Sequence, residues 1–434
     1  MTSPRQNPGG VQWAVIGAFL AIAVVVWSVA LWWPPHRRET AQTTTSAGSP
    51  ATPSPSPARP SPAPAASSPS AAPSPPPVQT IPGMPPVPDP KNLYSETASG
   101  RLSPAVASAL LRVYVPNVKA NTVTVINPAT LSVVETFPVG LNPQHVVPSY
   151  DLTVLWVANN AEGSTKGSLT PIDPTTGKPG RAVPVDDPYN LYFTPDGRSA
   201  IVVAEAMKRL DFRDPHTMAL QGAIEVPGCA GVNHIDFAID GKYLIATCEF
   251  QGGLVKIDLV GRTVLGYLTL PRGGMPQDIR VSPDGQTFFV ADMMAAGVHL
   301  IDGERFAVTG FLETGIGTHG LYPSRDGKKL YVANRGSKQI RGKPKGPGSV
   351  SVVDFASRTI ETTWAVPGGG SPDMGNVSAD GSQLWLSGRF DNVVYVFDTR
   401  TGQVTTIPVG KEPHGLTVWP QPGRYSLGHT GNMR

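Results

Sequence analysis

Eight histidines lie along the 434 residues, and four of them stand where chemistry is possible. His145, His234, His319 and His414 each open a short β-rich run, at nearly the same offset from a recurring turn. Other polar residues hold the corresponding places: Gln144 before His145, Tyr189 and Asn190, Asn233 before His234, Gln277 and Asp278, and Asp373. Imidazoles and carboxylates converging on one axis are ligands for a divalent metal, and a histidine is also an axial ligand for haem iron. A metal, if held, is expected on His145, His234, His319 and His414, with Asp278 or Asp373 adding a carboxylate. The competing reading is that these groups line a wet channel mouth and satisfy strand amides there. His145 and His234 also sit one place beyond His319 and His414, which argues against a simple ring of ligands.

A second set belongs to the same end of the repeat, at the close of the neighbouring strands: Asn117, Asn159, Glu205, Cys248 with Glu249, Asp292, Asn334 and Arg389. Cys229 and Cys248 are the two cysteines, too few for a four-cysteine zinc site and without CxxCH for covalent haem. They fall towards one face of one blade, where a disulfide is geometrically feasible, and sequence alone leaves the bond open. The run Arg335 to Lys345 carries five basic residues in a loop over the same face. Such a run steers acidic glycans, phosphates or nucleic acid, or is only a solvated loop; without interleaved aromatics, nucleic acid is the weakest of these. No GxSxG elbow, HExxH, phosphate loop or dinucleotide fingerprint stands in a suitable context, so no catalytic set is assigned.

The elements that must position these residues are announced by a repeat. Ser149-Tyr150-Asp151, Pro195-Asp196-Gly197, Ile239-Asp240-Gly241, Pro283-Asp284-Gly285, Arg325-Asp326-Gly327 and Ala379-Asp380-Gly381 are copies of one turn, their aspartates 45, 44, 44, 42 and 54 residues apart. Asp-Gly between apolar runs is a hairpin signal, because the turn needs residues that tolerate positive φ. Seven strands ending in Asp or Asn follow the repeat, from Thr122–Asn127 to Val393–Asp398. Short strands at this even spacing predict an all-β, seven-bladed propeller of four-stranded blades. The first unit lacks an inner strand, and the last ends in a surplus one, His414-Gly415-Leu416-Thr417-Val418, which is expected to close the ring.

Val113-Tyr114-Val115-Pro116-Asn117, Leu330-Tyr331-Val332-Ala333-Asn334 and Trp156-Val157-Ala158-Asn159 resemble the YVTN β-propeller repeat. The resemblance covers roughly 112–425. It implies kinship with exported bacterial propellers and, more distantly, with the haem-carrying propeller of dissimilatory nitrite reductase. Lactonase propellers share the architecture, but no complete catalytic set matches theirs residue by residue.

Composition divides the rest. A short tail, 1–10, precedes an uncharged stretch from Val11 to Trp33, long enough as a helix to cross a ~30 Å hydrocarbon core. Residues 34–93 form a Pro/Ser/Ala-rich linker, with 17 prolines between 41 and 90, and such chains are semi-rigid spacers. A lead-in, 94–111, precedes the propeller at 112–425, and 426–434 is a C-terminal tail. Arg37 and Arg38 after the span, against Arg5 before it, favour a cytoplasmic domain weakly. The stalk-like linker and the exported relatives outweigh that count. The expectation is therefore a single-pass cell-membrane protein with its propeller outside the cytoplasm, binding or scaffolding a protein, glycan or small ligand without catalysis. The alternatives are a metal- or haem-dependent redox enzyme and sequence-independent nucleic-acid binding. A net charge of +3 gives the last no whole-chain support.

Overall fold

The computed structural model describes residues 76–434. The stretch 11–33 and most of the Pro-rich linker lie outside the described residues, and among those described no helix is long and apolar enough to cross a membrane. Among the described residues, twenty-eight strands form seven antiparallel four-stranded sheets, the blades of a propeller. Inner strands such as Pro143–Pro148 and Val232–Phe237 are buried along their whole length, whereas the outer strand Thr263–Thr269 alternates exposed and half-buried residues. That gradient is what blades packed face to face about an axis require.

The ring closes as the repeat phase predicts. Thr417–Trp419 adds to Arg112–Asn117, with Arg112 opposite Trp419 and Val113 opposite Val418, while His414 N–H donates to Pro116 O at 3.0 Å. Leu416 and Val418 pack with Val113, Ile126 and Trp385 between the last blade and the first. Each buried aliphatic side chain contributes roughly 1.5–3 kcal/mol, so the closing strand holds the first and last blades together. The Asp-Gly turns share one chemistry. Thr194, Ser282, Ser324 and Ser378 each donate a hydroxyl to the aspartate two residues on, at 2.5–2.6 Å, and the following glycines take φ of 68–81°.

Two segments outside the repeat complete the domain. The chain crosses the turn face of the ring from Ile81, whose N–H donates to Asp240 O, to Tyr94, whose hydroxyl donates to Val281 O at 2.7 Å. Residues 81–93, read as linker, are therefore packed against the propeller. The segment 426–434, read as a tail, folds back into the channel and is buried except at Gly431. Phe193 N–H donates to Leu427 O and His429 N–H to Leu191 O, while Asn432 and Arg434 reach the buried Asp236 carboxylate at 2.8 and 2.9 Å. A buried carboxylate needs several donors, and this segment supplies two of them.

Candidate metal centre

The inner strands share a local irregularity that aims their first residues at the axis. Pairing with the second strand slips by one residue at Pro143/His145, Pro188/Asn190, Val232/Ile235, Pro276/Ile279, Thr318/Leu321 and Pro372/Gly375. A bulge of this kind bends the strand and redirects side chains. The registers define two layers. Gln144, Tyr189, Asn233, Gln277, His319, Asp373 and His414 are equivalent, and His145, Asn190, His234, Asp278, Gly320, Met374 and Gly415 lie one place further along.

This layering reconciles the histidines that stand out of register. In the blades where the second place is glycine, there is room for groups from both layers. A Cβ on Gly415 would lie 2.1 Å from His145 Cδ2. His145 and His414 consequently pack with ring centroids 4.9 Å apart, and His319 lies 6.0 Å from His414. The mouth, which the competing reading made wet, is closed. His145, His234, His414, Asp278 and Asp373 are fully buried and His319 is 2 % exposed, because the C-terminal segment fills the channel from one end.

Two groups of three have donor atoms within 4.8 Å of one another: His319, Asp373 and His414, and His145, His234 and His429. His429 was not anticipated; it arrives on the C-terminal segment, outside the repeat that marks the others. Hydrogen bonds on the far ring nitrogens fix several tautomers. His145 Nδ1 lies 3.0 Å from Tyr189 O and His414 Nδ1 3.2 Å from Gln144 O. A carbonyl only accepts, so both rings carry N–H at Nδ1 and a lone pair at Nε2. His319 Nδ1 is flanked by Asp373 Oδ1 at 2.9 Å and Met374 Sδ at 3.2 Å, which favours the same tautomer. His145 Nε2 and His414 Nε2 have no hydrogen-bond partner, nor do His234 Nε2 and His429 Nε2; Asp373 Oδ1 faces His319 Nδ1, and Oδ2 has no hydrogen bond.

Burial keeps the rings neutral, and neighbouring cations keep the carboxylate ionised. Burial lowers the His145 pKa to about 4, against a smaller upward pull from the Tyr189 carbonyl, and it lowers that of His414 as well, aided by Arg389. Both rings are neutral at pH 7. Burial opposes ionisation of Asp373, but His319 and Arg335, with Arg389, outweigh it and hold the carboxyl below its usual range. Arg335 and Arg389 lie 3.7 and 3.9 Å from its oxygens.

Other expected site residues serve the frame. Asp278 accepts from Arg280 and Ile279 N–H through one oxygen and from Leu321 N–H in the next blade through the other, whereas Asp373 is held by His319, Arg335 and Arg389 and keeps Oδ2 without a hydrogen bond. Asp292 accepts from Met275 and Ala295 N–H and faces His299 at 3.2 Å, away from the centre. Asn117, Asn159 and Asn334 each donate to hydroxyls of the third strand, such as Thr124, Thr170 and Ser351. Gln277 bonds Met275 O, Asn233 bonds Glu249 at 2.7 Å, and Gln144 reaches Asn160 and Glu162. Tyr189 packs edge-on to His145 at 5.2 Å. Cys229 and Cys248 are joined, with Cα atoms 4.8 Å apart. Arg335 folds inward over Phe390 and donates to Gln339 O and Ile340 O, so it leaves the basic loop for the channel cap.

The family model described as "YNCE-like beta-propeller" matches residues 93–422. No curated protein matches the chain. A 6-phosphogluconolactonase candidate from Bacteroides uniformis is 18 % identical over 70 % of this chain and 98 % of its own, with a TM-score of 0.57. Hydrazine synthase from Kuenenia stuttgartiensis is 17 % identical over 70 % and 93 %, with a TM-score of 0.51. Dihydro-heme d1 dehydrogenase NirN in complex with DHE is 15 % identical over 71 % and 75 %, with a TM-score of 0.52. At these identities the structural likeness establishes the fold alone. The repeat, the closed ring of seven blades and the family match agree: the chain belongs to the YNCE-like beta-propeller family.

Proposed function

We propose that this protein is a membrane-tethered, extracytoplasmic propeller whose closed channel holds one divalent transition-metal ion, of the zinc or copper class. One observation carries the proposal: His145 Nε2 and His414 Nε2 are buried lone-pair donors with no hydrogen bond to satisfy them, and Asp373 Oδ2, also without one, lies 3.7 Å from His414 Nε2. Leaving such atoms unpaired costs about 1–3 kcal/mol each, and an ion is one agent that would remove the cost. His319, Asp373 and His414 have donor atoms within 4.8 Å of one another, and His145, whose ring packs 4.9 Å from that of His414, is the fourth ligand of the proposed set. Imidazole nitrogen suits zinc and copper, and the His145 and His414 rings bind without first losing a proton at neutral pH. The carbonyl bonds of Tyr189 and Gln144 are outer contacts of the kind that orient metal-bound histidines. A haem does not suit the same channel, because the imidazoles stand only 4.9–6.0 Å apart and leave no slot for a macrocycle.

The extracytoplasmic placement rests on the apolar stretch 11–33, the Pro-rich spacer and the Cys229–Cys248 bond, which suits an oxidising compartment. A second reading, recognition of a protein or other ligand by the face opposite the Asp-Gly turns, has its own observation. Leu141, Phe250, Met294, Ile316 and Ile340 are exposed on the loops of that face, beside Lys338, Arg341, Lys343 and Lys345. Grouped exposed apolar residues mark interaction surfaces, and a metal-stabilised channel is compatible with such a face.

Elemental analysis and equilibrium dialysis of the full chain against zinc and copper test the metal. About one ion per chain is expected, with binding lost in a His145→Ala, His414→Ala double variant that still folds. Equal binding by both proteins would overturn the assignment.

A further inference from the structure

Six donor groups meet in the channel, enough for two ions, yet they are not equivalent. We infer that Asn190 restricts the centre to one ion by holding His234 and His429 in the tautomer that cannot ligate. This inference rests on the metal reading for its consequence, but its cause is visible in the hydrogen bonds alone.

The Asn190 side chain has one orientation. Its Oδ1 accepts the N–H of Leu191 at 2.8 Å, which turns Nδ2 towards the channel. Nδ2 then stands 3.3 Å from His234 Nδ1 and 3.0 Å from His429 Nδ1. An amide NH₂ carries two hydrogens and no lone pair available to accept. Both imidazoles must therefore accept at Nδ1, so each neutral ring carries its hydrogen at Nε2. Two further contacts agree. The Tyr192 hydroxyl lies 3.4 Å from His234 Nδ1 and already accepts from Ile235 N–H, leaving its own hydrogen to donate. His429 Nε2 lies 3.5 Å from Asp278 Oδ1, near a carboxylate that favours hydrogen at this nitrogen although no hydrogen bond is formed.

An Nε2 that bears hydrogen has no lone pair for a metal. His145 is the reverse case in the same cluster, since the Tyr189 carbonyl forces its hydrogen onto Nδ1. Of the three imidazoles in that group, only His145 is set to ligate, and its ring stands 4.9 Å from that of His414, which in turn faces Asp373. Asn190 is thus a positioning residue: it touches no ion and decides which rings do.

A carboxylate at this place would act oppositely. Asp278, the equivalent residue two blades on, accepts its own following N–H at 2.9 Å just as Asn190 does, so the backbone here suits aspartate. In Asn190→Asp, the free oxygen accepts from Nδ1–H of His234 and His429 and releases both Nε2 lone pairs. One of them then faces the Asp278 carboxylate, an arrangement that favours a second cation.

Two measurements on the full chain test this. Long-range ¹H–¹⁵N spectra of the metal-free wild type, ¹⁵N-labelled at histidine, are expected to give Nε2–H for two channel histidines and Nδ1–H for His145 and His414. The former pair is identified as His234 and His429 by single substitutions. Nδ1–H at either of these would overturn the inference, whether or not Asn190→Asp folds and whether or not any metal binds. Zinc titration followed by elemental analysis is expected to give one ion per chain for wild type and two for Asn190→Asp. Two ions in the wild type, or one in a folded variant, would equally overturn it. No zinc in the wild type would instead sink the metal reading, with the tautomers still decided by the spectra.

Discussion

The two sides of the channel are built from the same residue types and do different work. On one side, Asn190, His234, His429, Asp278 and Arg280 form a network, with Asp278 and Arg280 bonded at 2.9 Å and Asp278 clipped to Leu321 of the next blade. On the other, His145, His414 and Asp373 are equally buried, and the Nε2 atoms of all four rings, His234 and His429 included, lack a partner. What separates the candidate ligands is the group at Nδ1: a carbonyl leaves His145 and His414 a lone pair at Nε2, and the Asn190 amide leaves His234 and His429 a hydrogen there. Low dielectric raises the stakes on both sides: a satisfied network stiffens the ring, and an unsatisfied one costs stability until something binds.

The comparison is broken most severely by exchanging the roles. Asp278→Ala leaves Arg280 buried without its charge partner and removes the clip to Leu321, so a loss of about 3–5 kcal/mol is expected in urea unfolding. His414→Ala removes a ring whose Nε2 bonds nothing, and a clearly smaller loss is expected in metal-free protein. Equal losses would erase the distinction between the two sides.

A second effect follows pH. The folded His145 pKa is about 4, below its unfolded value of ~6.5. The folded state therefore binds fewer protons, and the stability associated with the neutral ring is complete above about pH 6.5. It is lost as pH falls from there towards 4, up to about 3 kcal/mol for this group alone. His234, His414 and His429, lowered chiefly by burial, act in the same direction. Urea midpoints in metal-free protein should fall between pH 7 and 5, and saturating zinc should oppose the fall. A flat profile over that range would contradict neutral buried imidazoles.

The smallest effect concerns the frame. Asn334→Ala removes bonds to Ser349 and Ser351 at 3.1 Å each and is expected to cost about 1–3 kcal/mol without changing metal affinity. A change in affinity larger than threefold would place this asparagine in the site after all.

These contrasts also explain what was legible in the sequence. The blades were, because Asp-Gly turns and Ser or Thr two places earlier are local chemistry repeated at a fixed period. Closure was legible because a strand was missing at one end and surplus at the other. His145, His319, His414 and Asp373 could be named as candidates from their offset alone. Their convergence could not, since it depends on the bulge in every inner strand and on the absence of a side chain at Gly415. His429 escaped because it lies past the last repeat, where Tyr425, Leu427 and Met433 were the hint that the segment is buried. The asparagines ending the second strands share a face with the site, but their amides turn to third-strand hydroxyls, which spacing does not reveal.

X-ray absorption of the zinc- or copper-loaded full chain tests the central claim most directly. The account predicts three imidazole nitrogens and one carboxylate oxygen at about 2.0–2.2 Å, with one nitrogen lost in His414→Ala. A first shell of water oxygens, or one unchanged in that variant, would contradict it.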